Sequence, residues 1–138
     1  MSEFQMRMVA VMNEKLEPGK ALNALAHMCM GLGATVGKES LNLMDYVDAD
    51  QGIHQNISKM PLVVLKSNSN KIDKLREQAL SQGISFTDFT DTMTVGSWSE
   101  QKERTLQTKS EALVYYGVML IGDKDIVTEL TRKFSLWK

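Results

Sequence analysis

Three polar residues stand in one row on an otherwise small and apolar stretch. Lys20, Asn23 and His27 occupy positions i, i+3 and i+7, which at about 100° per residue form a narrow stripe on a helix. An ammonium and an imidazole so aligned can stabilise an oxyanion or a phosphate and position a neighbouring group. The same stripe also suits a plain solvent face, because polar rows on helices are usually solvated. Against that, Ala24, Gly31 and Ala34 flank it where Glu, Lys or Gln would be expected. Small residues permit close approach by a ligand or another segment.

A second cluster, Thr87-Asp88-Phe89-Thr90-Asp91-Thr92-Met93-Thr94, falls at the end of an alternating segment. Ligands tend to bind at strand ends in α/β sheets. Asp88 and Asp91 can supply a general base, and Thr92 and Thr94 can supply hydrogen-bond donors or a nucleophile. An ordinary Asp/Thr turn, its side chains capping backbone groups, is the competing explanation.

Other combinations fail on spacing. Asp48 and Asp50 begin like a calcium loop, but Gly52 replaces the third ligand and Lys59 stands where the bidentate Glu belongs. His27, His54 and Cys29 lack zinc-ligand spacing, so no metal ligands are expected. His27 and Cys29, two apart on a helix, point apart and cannot pair as base and nucleophile. Gly31, Gly33 and Gly37 follow a helix pattern where a dinucleotide fingerprint follows a strand, so no cofactor is expected. The ten methionines read as core filler.

The elements that must carry these residues alternate along the chain. Met6–Met12 is a short, nearly apolar strand. Pro18 suits the first turn of a helix, the Ala/Leu/Met run after it favours helix, and Gly31, Gly33 and Gly37 are expected to end it. Leu22, Leu25, Cys29 and Leu32 are the expected centre of its buried face. Leu43–Val47 reads as a short strand, Asp48–Gly52 as a turn and Ile53–Lys59 as loop. Pro61–Lys66 is a strand with Pro at its tolerated first position, and Lys71–Gln82 keeps helical spacing. Ile84–Phe89 alternates as a half-buried strand, and Thr90–Gly96 reads as loop. Ser97–Ser110 reads as an exposed helix or a flap, Ala112–Ile121 as a strand covered on both faces, and Asp123–Phe134 as a closing helix. Strands alternating with helices predict a layered α/β sheet in which the four main strands join, with helices on both faces.

Composition narrows the class. At 138 residues, 43% hydrophobic and 24% charged, the chain is expected to be one domain, well away from disorder, burying about two-thirds of its unfolded surface. One cysteine cannot form an internal disulfide. The first residues, Met1 to Gln5, lack the basic start and apolar run of a secretory leader. No apolar stretch reaches the about 20 residues that span a bilayer. A cytoplasmic location is expected, and no membrane partner. Net charge is −1 with a pI near 6.1, and the only adjacent basic pair is Arg132-Lys133, which argues against a large tRNA footprint.

Leu16-Glu17-Pro18-Gly19-Lys20 and the helix through His27 resemble the opening of type-2 peptidyl-tRNA hydrolases: a strand, Gly-Lys-Gly-Lys, then a small-residue helix with His seven residues after the second Lys. Lys20 and His27 match that spacing, and Pro18 stands where the first Lys would be. Counting from Gly83, Asp91 falls at the Asp of the family's Asp-Ala-Gly-Arg/Lys-Thr motif. Thr94 stands displaced from its Thr. Leu120-Ile121-Gly122-Asp123 is similar to the closing Gly-Ile-Gly-Pro. The chain more closely resembles a bacterial family of unknown function in the same superfamily. That likeness lies at Pro18–Asn23, Ile57–Leu65, Phe86–Met93 and Tyr115–Val118.

The resemblance implies a three-layer α/β/α fold of the type-2 peptidyl-tRNA hydrolase kind, one domain over residues 1–138, with a mixed, roughly four-stranded sheet. It also implies a metal-free site built from Lys20 and Asp91, with His27 at the matching spacing; the helix stripe and the Asp/Thr cluster add Asn23, Asp88, Thr92 and Thr94 as candidate ligand contacts. Three functions compete: a small hydrolase or transferase acting on an ester or amide, a non-enzymatic module binding a small molecule or peptide, and an interaction subunit working through Trp98, Trp137 and Ser97–Ser110. A small-molecule or peptide ligand and a homodimer are compatible partners; tRNA is not expected.

Overall fold

The computed structural model describes residues 4–138; Met1, Ser2 and Glu3, where the reading for a leader begins, lie outside the described residues. The apolar run near the start forms β1 (Met6–Asn13) at the centre of the sheet. Its side chains alternate between two cores. Met8, Ala10 and Met12 face one helix layer, and Val9 and Val11 the other.

Helix α1 (Pro18–Val36) follows directly. It runs through Gly31 and Gly33 and stops at Gly37, whose φ of 89° is left-handed and open to glycine. The expected stop at the earlier glycines is thus corrected: φ turns positive at Gly37 and not at Gly31 or Gly33, and a Cβ on Gly31 would make ordinary contact at 3.9 Å with Thr87 and one on Gly33 at 3.4 Å with Leu41. The buried face is also rotated from the expected one. Ala21, Ala24, Met28 and Leu32 are buried, whereas Leu22 is 66% exposed. Small alanines let the helix axis lie close to the sheet, so the larger Leu22 is displaced to the flank.

Two short strands, β2 (Leu43–Val47) and β3 (Ile53–Ser58), pair as a separate antiparallel hairpin. Ile53–Lys59, expected as loop, is therefore mostly strand. The hairpin turn is tied by Asp48, whose Oδ1 accepts from the Asp50 and Gly52 amides at 2.9 Å and whose Oδ2 lies 2.8 Å from His54 Nε2. These bonds, His54 first, hold the Asp48 carboxyl below its usual pKa.

The chain returns through β4 (Leu62–Ser67), parallel to β1, and α2 (Ser69–Ser81), capped by the Asn68 side chain on the Lys71 amide. Then come β5 (Ser85–Thr90), a 3-10 turn (Asp91–Met93) and α3 (Trp98–Gln107), so the segment read as a helix or a flap is a helix. Last are β6 (Tyr115–Asp123), α4 (Lys124–Thr131) and a two-residue β7 (Ser135–Leu136).

The sheet order is β5-β6-β1-β4-β7. The four expected strands do share one sheet, and β7 makes it five-stranded instead of four. Only β1 and β4 are parallel neighbours; β6 is antiparallel to both β1 and β5. β5 therefore runs in the same direction as β1 but with β6 between them. Helix α1 covers one face against Met119, Ile121 and Phe89, while Ile72, Leu75 and Ala79 of α2 and Val127 of α4 cover the other. Each fully buried large side chain in these two cores, such as Met28 or Ile72, contributes about 1.5–3 kcal/mol.

Candidate functional site

The first turn of α1 lacks the usual closure of a helix start. Pro18 carries no N–H, Glu17 offers no side-chain cap, no acidic residue occupies the turn, and the first helical bond is Ala21 N–H to Glu17 O at 3.0 Å. Among the described residues the amides of Gly19 and Lys20 have no protein partner, and a Cβ on Gly19 would meet open space. Such amides carry the positive end of the helix dipole, and the exposed Lys20 stands among them.

The stripe of Lys20 and His27 is not directed at bulk solvent alone. His27 lies with its ring centroid 5.6 Å from that of Phe89 on β5, and Gly31 lies beside Thr87 two residues earlier on the same strand. Phe89 in turn approaches Tyr116 at 6.1 Å. The flank of α1 bearing His27 and Gly31 thus lies along β5, with the two running in opposite directions. Asn23 is exposed.

The strand alternation of β5 separates the two aspartates. Asp88 Oδ2 accepts from Arg76 Nε of α2 at 2.8 Å, its side chain only 18% exposed, whereas its neighbour Phe89 faces α1. Asp88 is therefore on the sheet face opposite His27, engaged by a guanidinium that also lies 5.5 Å over the Phe86 ring. The Asp88 bond raises the Arg76 pKa, with partial burial opposing it.

Asp91 closes the end of β5 against the residue before β6. Its amide donates to Val114 O at 2.9 Å and its Oδ1 accepts from Val114 N–H at 3.1 Å. Thr92 is 3% exposed, its Oγ1 2.7 Å from Thr90 Oγ1 and 2.8 Å from Thr105 Oγ1 of α3. Its hydroxyl serves the packing of the turn on α3. The Thr94 carbonyl accepts from Arg104, which also binds the carbonyls of Thr92 and Val95.

Two residues that tie element ends together beside the candidate site were not singled out from the sequence. Asn13, buried at the end of β1, donates Nδ2 to Tyr115 O at 3.0 Å and accepts from the Lys15 amide at 3.0 Å. Ser69 Oγ accepts from the Tyr115 amide at 2.9 Å. Together they tie the end of β1 and the start of α2 to the start of β6. A polar Asn closing an apolar strand was the available signal for the first. Burial raises the pKa of the half-buried Cys29, whose Sγ lies 3.5 Å from Met119 Sδ. Among the described residues no three His, Cys, Asp or Glu side chains are grouped to hold a metal ion, and no helix is long and apolar enough to cross a membrane.

Among the described residues these features define an α/β protein with a mixed five-stranded sheet, a separate two-stranded hairpin and four α-helices, helices covering both faces of the sheet. Residues 6–138 match the family described as "Protein of unknown function (DUF2000)", and the chain belongs to that family. A protein of unknown function from Agrobacterium tumefaciens strain C58 is similar in structure, with a TM-score of 0.84 and 18% identity over 98% of this chain and 99% of that one. At that identity the likeness shows the fold. No curated protein is significantly similar in sequence.

Proposed function

We propose that the sheet edge where α1 begins and β5 ends is a site for an anionic or carbonyl oxygen, and that the chain acts there as a hydrolase or transferase on a small ester or amide. The observation that carries this reading is the open first turn of α1, with two unpartnered amides beside Lys20. Supporting it is the register of α1 on β5. From His27 to Lys20 is about 10 Å along the helix, or about three strand residues beyond Phe89, the level of Asp91 and Thr92. The resemblance to type-2 peptidyl-tRNA hydrolases, a fold-level analogy, agrees in naming Lys20 and Asp91.

Lys20 and the Gly19 and Lys20 amides stabilise the developing oxyanion. Asp91 Oδ1 is engaged by the Val114 amide, which leaves its other oxygen the role of orienting the attacking water. His27, held against Phe89, positions the neighbouring group, and Asn23 contacts the ligand from the same helix. An apolar cavity of about 310 Å³, lined by Pro18, Leu22, Leu25, Val64 and Trp137 among others, adjoins the same turn. That cavity favours a second reading, a binding module that holds an apolar or aromatic ligand without turning it over.

The test is hydrolysis of p-nitrophenyl esters by the full chain, its Lys20→Met variant and its Asp91→Asn variant, the last keeping the Val114 bond. The expected loss in kcat/KM is about 10²-fold or more for Lys20→Met, as for one oxyanion donor. The urea midpoint should stay unchanged, because an exposed ammonium contributes only about 0–1 kcal/mol. Turnover equal in wild type and Lys20→Met would overturn the site. Absence of turnover with retained ester binding would leave the binding module.

A further inference from the structure

Five of the sixteen basic residues, dispersed in sequence, meet in space. Lys71 and Lys74 of α2 share one helical stripe with Gln78, and Arg132 and Lys133 follow α4 directly across from them. With Lys66 of β4 these five cations border one groove of about 710 Å³, against only Glu14 and Glu129. Arg132 already engages Glu129 at 3.0 Å. Among the described residues Lys71, Lys74 and Lys133 have no carboxylate within ion-pair distance. A cluster of unpaired like charges is unfavourable in an empty groove and is relieved by an anion.

The position of the groove is a second, independent argument. β1 and β4 are the only parallel neighbours in the sheet, and the helices that follow them leave to opposite faces, α1 to one and α2 to the other. The crevice outside the carboxyl ends of such a strand pair is where open α/β sheets bind ligands. Glu14, Ser67 and Asn68, the residues at those two strand ends, are among those that line the groove, and the Glu14 amide is bonded to Ser67 O at 2.9 Å.

We infer that this groove between α2 and the end of α4 binds a small molecule carrying two or more phosphates. Its volume lies within the about 300–1,000 Å³ of small-molecule sites. The Lys71–Gln78 stripe spans about 10 Å, long enough for several phosphates in a row. A single-stranded nucleic acid fits less well, because such tracks present successive aromatic platforms and here Phe134 is the only aromatic lining residue. The groove lies on the sheet face opposite α1, so the inference stands apart from the Lys20 site.

The experiment is calorimetric titration of the full chain with inorganic triphosphate and, separately, with orthophosphate. Triphosphate should bind, more weakly as salt rises, and at least about tenfold tighter than orthophosphate. The Lys71→Gln/Lys74→Gln and Arg132→Gln/Lys133→Gln double variants, at opposite walls, should each lose about tenfold or more in affinity with unchanged circular dichroism and melting. Triphosphate binding that is absent, no tighter than orthophosphate, or within twofold of wild type in both double variants would overturn the inference. So would a short single-stranded RNA that binds tighter than triphosphate and is lost in the same variants.

Discussion

Arg104 joins the end of β5 to the rest of the molecule, and its removal gives a measurable test of how the Asp91 turn is held. Its Nη1 donates to Thr92 O at 3.2 Å and Thr94 O at 3.4 Å, and its Nη2 to Val95 O at 3.1 Å. Val95 has a φ of 46°, left-handed backbone that a β-branched residue adopts at a cost of about 1–3 kcal/mol. The guanidinium holds that strained carbonyl in place. Three charged hydrogen bonds at about 1.5–3 kcal/mol each would sum to more than the loss expected for Arg104→Ala, because the carbonyls of the partly buried Thr94 and the exposed Val95 recover water, although that of the buried Thr92 does so less readily. About 2 kcal/mol is the reasoned net. No residue of α3 is buried, so the loss should appear as local opening of α3 and the turn, with the central sheet unaffected. Amide hydrogen exchange across 98–107 should then accelerate about 30-fold, while amides of β1 and β6 keep their protection. Arg104→Lys keeps the charge but not the planar fork, so it should recover less than half. Exchange in α3 within twofold of wild type in Arg104→Ala would refute the reasoning and show the strain at Val95 to be held by other contacts.

Two further outcomes follow from the packing around α1. Burial raises the Cys29 pKa, so the folded chain favours the neutral thiol. That contribution is fully present below the unfolded value of about 8.5 and is lost as pH rises through the folded value. Stability measured by urea should therefore decline above that pH and decline less in Cys29→Ala; identical slopes would contradict it. Separately, a Cβ at Gly117 would lie 2.8 Å from Met12 Sδ and 2.9 Å from Met28 Cε, both fully buried. Gly117→Ala should cost about 1–3 kcal/mol by overpacking, and an unchanged urea midpoint would show that the methionine ends yield freely.

What the residues disclosed in advance follows the physics of each element. The strands β1, β4, β5 and β6 were legible because a sheet buried on both faces demands apolar runs, and a half-buried edge demands alternation. β3 was not, since Ile53 to Ile57 are exposed within an isolated hairpin and no buried face imposes a pattern. β7 is two residues long, below any periodicity. The buried face of α1 differs from the one that side-chain size predicts. Ala21 and Ala24 are buried and Leu22 is not, the close approach of helix to sheet selecting small residues over large ones. That rotation bears directly on the candidate site. With the buried centre shifted, Lys20 and His27 move from the solvent side of α1 to the flank along β5, where His27 meets Phe89. The row of Lys20, Asn23 and His27 was readable from spacing, whereas what it faces depends on the sheet order. The same reason hid the basic groove. Lys71 and Lys74 are about sixty residues from Arg132 and Lys133, and only the departure of α2 to the face that α4 also covers brings them together. Local pattern specifies which residues are side by side on one element. Charge convergence between elements is a property of topology, so a chain of scattered cations and net charge −1 still presents a concentrated positive groove.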